Sequence, residues 1–205
     1  MLELHSTHFS GTVIRVQHYR DSDLIFSVLS HCGKRDLIAR HVRGKVVRGK
    51  SPPDLFDCGE FIVSQRQRGN LANFQSFAPA RSSTALRTNL QAFSIACLLC
   101  EVAHLLTPAG EADVADFVHA FELGLSALTE SNDLKQHCRA CFLALTGMLS
   151  NAGYAAHITQ ATPSRNNLYK LVEYSEQVTE VHLRSKAAVL DCLQELQRPS
   201  ATLLK

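Results

Sequence analysis

The chain has 205 residues, 45% hydrophobic and 20% charged, and this composition excludes an intrinsically disordered protein because it is apolar enough to bury a core. Its formal net charge of +2 identifies no partner, and its most apolar run, residues 95–106, is interrupted by Glu101 and His104 and falls short of the ~20 residues of a membrane span, so we expect no membrane partner. Seven irregularly spaced cysteines in a chain of this length indicate reduced thiols and a cytoplasmic location.

Five short apolar runs precede residue 80, and their pattern predicts β-strands. The first run alternates Ile14 and Val16 with polar neighbours and ends in Tyr19. The later runs cover residues 24–29, 37–42, 61–63 and 71–77. Gly33 lies between the second and third runs, where a tight turn requires the positive φ that glycine permits. Five strands in about eighty residues predict a small antiparallel barrel.

Helical periodicity replaces the alternating pattern after residue 80. Ser83 or Thr84 is a suitable N-cap for a helix that runs to about Leu106, where Pro108 and Gly110 end it. This helix is apolar on nearly every side, so we expect it to be central and buried. Further helical patterns follow around residues 114–128, 134–149, 168–172 and 189–196.

The predicted fold class is therefore α+β. Residues 1–80 form an amino-terminal domain, a five-stranded antiparallel barrel of the OB-fold type, and residues 81–205 form an all-α helical domain. Neither part contains an internal repeat or a low-complexity tract.

The two predicted domains differ in charge. Residues 1–80 carry eleven Lys plus Arg against seven Asp plus Glu, a balance of +4, whereas residues 81–205 carry ten against twelve, a balance of −2. Within residues 34–50, seven cations stand with a single acid, Asp36. A dense basic stretch in an otherwise near-neutral protein indicates a phosphate backbone as its partner.

The basic stretch leaves the third predicted strand. In a barrel of the OB type it borders the usual ligand surface, which crosses strands two and three between two flanking loops, here residues 20–23 and 66–70. We predict that ten basic residues line one path for DNA phosphates: Arg15, Lys34, Arg35, Arg40, Arg43, Lys45, Arg48, Lys50, Arg66 and Arg68. The alternative, a solvated charged surface, is less favoured because acids are depleted here.

Single-stranded nucleic acid also needs exposed aromatic rings on which its bases stack. Tyr19, Phe26 and Phe74 are the aromatic residues near enough in sequence to serve. Aromatic residues of small barrels usually belong to the core, so we expect both phenylalanines to be buried and leave Tyr19 open between the two roles.

Two C-x-x-C pairs, Cys97 with Cys100 and Cys138 with Cys141, have the spacing found in four-cysteine zinc sites. Both pairs lie inside apolar helical patterns and lack glycine-rich knuckles. Because free cysteine is among the most buried residue types, we expect core thiols, no metal and no other cofactor.

The chain contains none of the G-x-S-x-G, P-loop, H-E-x-x-H or G-x-G-x-x-G motifs, so nothing in it specifies an enzyme. The helical half is the natural place for a protein partner, with Arg87, Lys135 and Arg139 available to receive an acidic segment. Periodicity alone favours the alternative, a closed bundle with scattered surface charge.

Several stretches together resemble the RecO family of DNA-repair proteins. The similarity covers about residues 9 to 155 and depends on the order of the elements more than on any invariant motif. The matching stretches are Gly11–Val16, Tyr19–Asp23, Leu29–Lys34, Leu37–Arg40 with the basic run after it, and Leu149–Tyr154 at the end of a helical domain.

This resemblance implies an OB-fold followed by a helical domain, without bond-breaking catalysis. It implies binding of single- and double-stranded DNA, annealing of complementary strands, and recombination mediation that helps load a recombinase. Its implied protein partners are RecR and the single-stranded-DNA-binding protein, whose acidic, aromatic tail the helical half would receive.

Three features depart from the family pattern. His41 stands where the family commonly has glycine, and Pro52-Pro53 stiffens the connector after the basic run. Many members carry a four-cysteine zinc knuckle shortly after the Gly-Tyr pair, but residues 155–167 contain no cysteine, so that site is not carried over.

Two other hypotheses remain. The first is an interaction adaptor whose barrel binds protein instead of DNA, which predicts binding that is insensitive to salt. The second, a zinc-dependent enzyme, depends only on the cysteine spacing.

Overall fold

The computed structural model describes residues 5–42, 52–65, 71–110, 112–154 and 162–195, and it places the side chains of all of these except His5, Gln65 and Glu195. The described residues fall into two compact units. One unit comprises those within Met1–Thr84 and Ala103–Val118, and the other those within Ala85–Val102 and His119–Lys205. The division into functional domains at residue 80 stays a prediction.

Five strands form a closed barrel in the first unit: β1 (His5–Tyr19), β2 (Asp23–Ser30), β3 (Gly33–Ala39), β4 (Cys58–Gln65) and β5 (Leu71–Arg81). Their order around the barrel is β1-β2-β3-β5-β4. An odd number of strands cannot alternate in direction around a closed ring, so one neighbouring pair must be parallel. That pair is β3 with β5, and the other four pairs are antiparallel. The predicted α+β class, with an OB-type barrel followed by helices, is confirmed.

Strand β1 is long because it serves two neighbours. Its first half, His5–Thr12, pairs with β4, and its second half, Thr12–Tyr19, pairs with β2, with a register shift between Val13 and Arg15. Gly11 lies where β1 passes from one partner to the other, and a Cβ there would approach the Leu29 carbonyl oxygen to 2.5 Å. The absence of a side chain therefore allows the strands to cross closely at this point.

Phenylalanine rings fill much of the barrel interior. Phe61 is fully buried, and its ring centroid lies 5.5 Å from that of Phe9 and 4.9 Å from that of Phe77. Phe26 is 1% exposed and meets Phe74 edge to face at 5.3 Å. The expectation of burial is confirmed for Phe26, whereas Phe74 is only partly buried and packs against the core from its edge.

The helices are α1 (Thr84–Thr88), α2 (Leu90–Leu106), α3 (Ala115–Glu130), α4 (Leu134–Asn151), α5 (Arg165–Thr179) and α6 (Lys186–Glu195). The prediction of one continuous helix from residue 84 to Leu106 is wrong at Asn89. The Asn89 side-chain oxygen accepts the backbone N–H groups of Gln91 and Ala92, which caps a new helix and separates α1 from α2. As predicted, α2 is buried on most sides.

Two carboxylates organise the segment before α6. Glu101 of α2 accepts hydrogen bonds from the backbone N–H groups of Arg184 and Ser185 and from the Ser185 hydroxyl. Glu176 accepts the Leu183 N–H and lies 2.7 Å from the Lys186 ammonium. The backbone N–H groups directly before α6 are therefore satisfied by two carboxylates, whose negative charge is favourable at the start of a helix.

Gly110, Ala112 and Val114 attach to the barrel through the β2–β3 turn. The backbone N–H groups of Gly110, Ala112 and Val114 donate to the carbonyls of Lys34, Cys32 and His31 at 3.0, 3.1 and 3.2 Å. Gly33 has φ +103°, and a Cβ on it would come close to the Gly110 carbonyl oxygen. Only glycine satisfies both the backbone conformation and this approach.

We predict that Gly33→Ala lowers the free energy of unfolding by about 2–4 kcal/mol, because it combines a left-handed conformation with a clash against backbone. Urea denaturation measures the loss. Gly110→Ala is the matched control: its φ is +96° but no atom lies within 4 Å of its added Cβ, so only the conformational cost of about 1–2 kcal/mol applies. Equal losses for the two variants would contradict the steric argument.

Candidate nucleic-acid interface

Four of the ten residues predicted to contact DNA are described: Arg15, Lys34, Arg35 and Arg40. The other six, Arg43, Lys45, Arg48, Lys50, Arg66 and Arg68, lie outside the described residues. So does the second flanking loop, residues 66–70. The structure therefore describes the part of the predicted site that lies on β1, β2 and β3.

The outer face of the barrel follows from strand alternation. Val16, Phe26, Leu37 and Ala72 occupy one cross-strand row and belong to the interior. Neighbouring positions along each strand point the opposite way. Two outward rows result, Arg15–Ser27–Asp36 and Gln17–Ile25–Ile38. We call these rows, with Lys34 at the start of β3, the outer face.

Arg15 and Lys34 meet at His104, in the last turn of α2. An Arg15 guanidinium nitrogen lies 2.9 Å from His104 Nε2, and Lys34 Nζ donates to the His104 carbonyl oxygen at 2.5 Å. Asp36 lies beside them and accepts a hydrogen bond from the Ser27 hydroxyl at 2.5 Å. Arg15 remains exposed, whereas Lys34 and His104 are half-buried.

Burial is the largest cause of the altered proton affinities in this cluster. Burial, reinforced by the charges of Lys34 and Arg15 and opposed by Asp36, lowers the pKa of His104 from 6.5 to about 4. Burial also lowers the pKa of Lys34, against the opposing effect of Asp36. At neutral pH, His104 is therefore uncharged, and its Nε2 accepts a hydrogen bond from the Arg15 guanidinium.

Arg35 lies on the opposite face of β3 from Lys34. It is in phase with the interior residue Leu37, and its guanidinium carbon lies 4.8 Å from the centre of the Phe9 ring, which stacks on Phe61. A cation over an aromatic face is stabilised by the ring quadrupole. The structure thus brings Arg15 and Lys34 together but separates Arg35 from them, because consecutive strand residues alternate sides.

Arg40 is exposed directly after β3, next to the β1–β2 loop. His41 follows with φ +57°, its N–H donating to Asp23 Oδ1 at 3.0 Å, and the Val42 N–H donates to the Ser22 carbonyl at 2.7 Å. The left-handed conformation gives a physical reason for glycine at this position in the family, and histidine tolerates it at some cost. The chain therefore leaves β3 beside the first flanking loop, directly before the basic connector, residues 43–50.

Tyr19 is the third aromatic residue that the sequence offers for base stacking. It ends β1, is 39% exposed, and has the guanidinium of Arg20 lying 5.2 Å from its ring centre. A half-covered ring beside a cation is compatible with stacking of a base on its other side. Base stacking by Tyr19 therefore stays a prediction.

The second unit contains a cationic groove between α4 and the start of α5. This groove has a volume of about 260 Å³. Its lining residues are Lys135, Cys138, Arg139, Pro163, Ser164 and Arg165, and none of these described residues is acidic. Lys135 and Arg139 were predicted to receive an acidic segment, whereas Arg87 lies on α1 and is not among the lining residues. The sequence does not point to Arg165, at the start of α5, because the helical pattern in this segment is recognisable only from residue 168.

The paired cysteines have the surroundings of structural thiols. Burial raises the pKa of Cys97 and of Cys138 to about 11, and it raises the pKa values of Cys100 and Cys141 well above the ordinary value of a thiol. Zinc binds thiolates, which such burial disfavours. Within the described ranges, no three His, Cys, Asp or Glu side chains are grouped so as to hold a metal ion. No helix in the same ranges is both long and apolar enough to cross a membrane.

A closed five-stranded barrel with β3 and β5 parallel, carrying arginine on its outer face and followed by helices, defines an OB-fold protein of the α+β class. Residues 4–95 match the family described as "Recombination protein O N terminal". Residues 4–95 therefore carry the amino-terminal domain of the RecO family, as the resemblance predicted. This domain supports a role of the RecO type in DNA repair and recombination. No curated protein matches the chain.

We predict that the unfolding free energy falls as the pH is lowered from about 6.5 to about 4, because His104 takes up a proton in the unfolded chain before it does so in the folded one. The stabilisation is complete above about pH 6.5 and is lost as the pH approaches 4. Denaturant unfolding across this range measures it. His104→Leu removes this component of the pH dependence, whereas His119→Leu, an exposed control, retains it. Superimposable pH profiles for parent and His104→Leu would contradict the assignment.

Proposed function

We propose that the protein is a recombination mediator that binds single- and double-stranded DNA through its barrel, anneals complementary strands and helps load a recombinase on DNA coated by the single-stranded-DNA-binding protein. The observation that carries this proposal is an arginine, Arg15, held exposed on the outer face of a RecO amino-terminal barrel. Arg40 and Val42 adjoin the same strands and directly precede the basic connector in sequence.

Charge neutralisation is the proposed mechanism of annealing. Phosphates of two strands repel each other, and cations arranged along one surface reduce that repulsion so that complementary bases meet. Such a step breaks no covalent bond, and we propose that the protein is not an enzyme. Eight members of the predicted path are the proposed phosphate contacts: Arg15, Arg40, Arg43, Lys45, Arg48, Lys50, Arg66 and Arg68. The other two members, Lys34 and Arg35, contact the His104 carbonyl and the Phe9 ring.

The salt dependence of DNA affinity tests this proposal. If about five phosphates of a single strand are neutralised, the slope of log affinity against log salt concentration is near −3.5. Fluorescence titration of a labelled oligonucleotide at several salt concentrations measures it. Reversal of Arg43, Lys45 and Arg48 to Glu is expected to abolish most of the binding, whereas reversal of Lys170, Arg184 and Lys205 in the helical half is the charge-matched control.

A slope near zero, or unchanged affinity after the connector reversal, would overturn DNA binding by this surface. Salt-insensitive capture of a protein, without any shift of the oligonucleotide, is the result that the adaptor hypothesis predicts. The salt dependence of affinity thus distinguishes the two hypotheses, because counterion release accompanies phosphate neutralisation but not the burial of an uncharged protein surface.

We further propose that the cationic groove of the helical unit receives the acidic tail of the single-stranded-DNA-binding protein, and that RecR is a second protein partner, as the resemblance to the family implies. Lys135, Arg139 and Arg165 offer three cations without an acid among the described lining residues. The thiol of Cys138 stays protonated at neutral pH because its pKa is raised, so it adds no negative charge. Charge complementarity therefore favours an acidic segment.

We predict that Arg139→Glu combined with Arg165→Glu weakens binding of a labelled acidic-tail peptide at least tenfold, since each charge-assisted contact contributes about 1.5–3 kcal/mol. Fluorescence anisotropy measures the change. Lys170→Glu, an exposed cation outside the groove lining, is the control variant, and a peptide with amides in place of its carboxylates is the control ligand. Equal binding of both peptides, or an unaffected double variant, would exclude this groove.

A further inference from the structure

His104 contacts two members of the predicted phosphate path at once. Its ring nitrogen Nε2 meets the Arg15 guanidinium at 2.9 Å, and its backbone carbonyl accepts the Lys34 ammonium. It lies in the last turn of α2, within the part of that helix that groups with the barrel. Sequence reasoning treated it only as an interruption of an apolar run.

The Lys34 contact fixes the backbone of His104. Carbonyls in the last turn of a helix have no partner within the helix, and a lysine ammonium there satisfies one of them and favours the negative end of the helix dipole. Lys34 is half-buried in this position, and Gly110, Ala112 and Val114 are bonded to the same β2–β3 turn. The Lys34 ammonium is thus bound within the protein, at the end of α2.

The Arg15 contact fixes the direction of a cation without cancelling its charge. A carboxylate at position 104 would form an ion pair and remove the positive field that attracts a phosphate. A neutral imidazole accepts a single N–H, and the guanidinium keeps four further N–H donors. The lowered pKa of His104 agrees with this neutral state.

We propose that His104 is a positioning residue for DNA binding: its Nε2 holds the Arg15 guanidinium on the outer face for a backbone phosphate, while Lys34 anchors His104 and contacts no phosphate itself. This inference rests on the proposed DNA-binding function. It gives two of the predicted cations different roles: Arg15 binds a phosphate, and Lys34 holds His104 in place.

Nitrogen NMR of the imidazole tests the geometry without DNA. At neutral pH, the parent protein is expected to have His104 protonated at Nδ1 and unprotonated at Nε2, because Nε2 accepts from Arg15. Arg15→Ala is expected to shift this tautomer balance. A parent protein with the proton on Nε2 would overturn the proposal, since that nitrogen is then unable to accept.

DNA titrations across salt concentrations test the function. Arg15→Ala is expected to weaken binding and to reduce the magnitude of the salt slope by about 0.7, the loss of one phosphate contact. His104→Leu is expected to weaken binding about two- to tenfold, the effect of freeing one long side chain, with the slope unchanged. Lys34→Met is likewise expected to leave the slope unchanged.

Rescue and coupling separate positioning from folding. His104→Gln supplies an amide oxygen as acceptor and is expected to restore most of the affinity. The double variant Arg15→Ala with His104→Leu is expected to bind no more weakly than Arg15→Ala alone, because His104 acts through Arg15. His104→Leu leaves the Lys34–carbonyl bond in place and removes an Nδ1 that is buried without a partner, so its thermal midpoint is expected to be no lower than the parent's. His119→Leu is the control.

Three results would overturn the inference: parent-like affinity for His104→Leu, additive losses in the double variant, or a slope reduced by Lys34→Met as much as by Arg15→Ala. Each of these leaves the proposed function standing if reversal of the connector still abolishes binding. Unchanged binding after connector reversal overturns the proposed function itself.

Discussion

Closure of a five-stranded sheet into a barrel is the constraint on which the rest of this protein depends. Once the sheet is closed, every strand residue points either into a filled interior or out to the surface, and a shift of one position exchanges the two. Lys34 and Arg35 are neighbours in sequence with different surroundings for this reason. Lys34 reaches the end of α2, whereas Arg35 covers Phe9.

Closure also explains why the cations of the barrel have unequal roles in our proposal. The carbonyl at the end of α2 requires a donor, and Lys34 supplies it from the neighbouring strand. That contact brings the His104 ring to Arg15, and burial beside two cations keeps the ring neutral. Lys34 thereby stabilises the fold, whereas Arg15 stays exposed for a ligand, although the sequence alone does not distinguish these two basic residues.

The helical unit handles charge differently. Acids Glu101 and Glu176 are used to receive the N–H groups before α6, so they are held at a helix start. The groove between α4 and the start of α5 has cations without acids among its described lining residues. Its cysteine is a protonated thiol, as are the other paired cysteines, because burial raises their pKa values. This is why an acidic peptide, and not a metal, is the ligand that we propose for this unit.

The sequence by itself determined the α+β class, the OB-type barrel, the buried Phe26 and the family of the amino-terminal domain. These properties follow from periodicity and local pattern, which are encoded between near neighbours in the chain. The break at Asn89 is a local cap that the continuous apolar pattern concealed. Only the tertiary structure decided the parallel β3–β5 pair, the contact of Arg35 with Phe9 and the meeting of Arg15 with His104, 89 residues away. Those depend on which elements pack together, because contacts between residues distant in sequence leave no periodic signal in either segment.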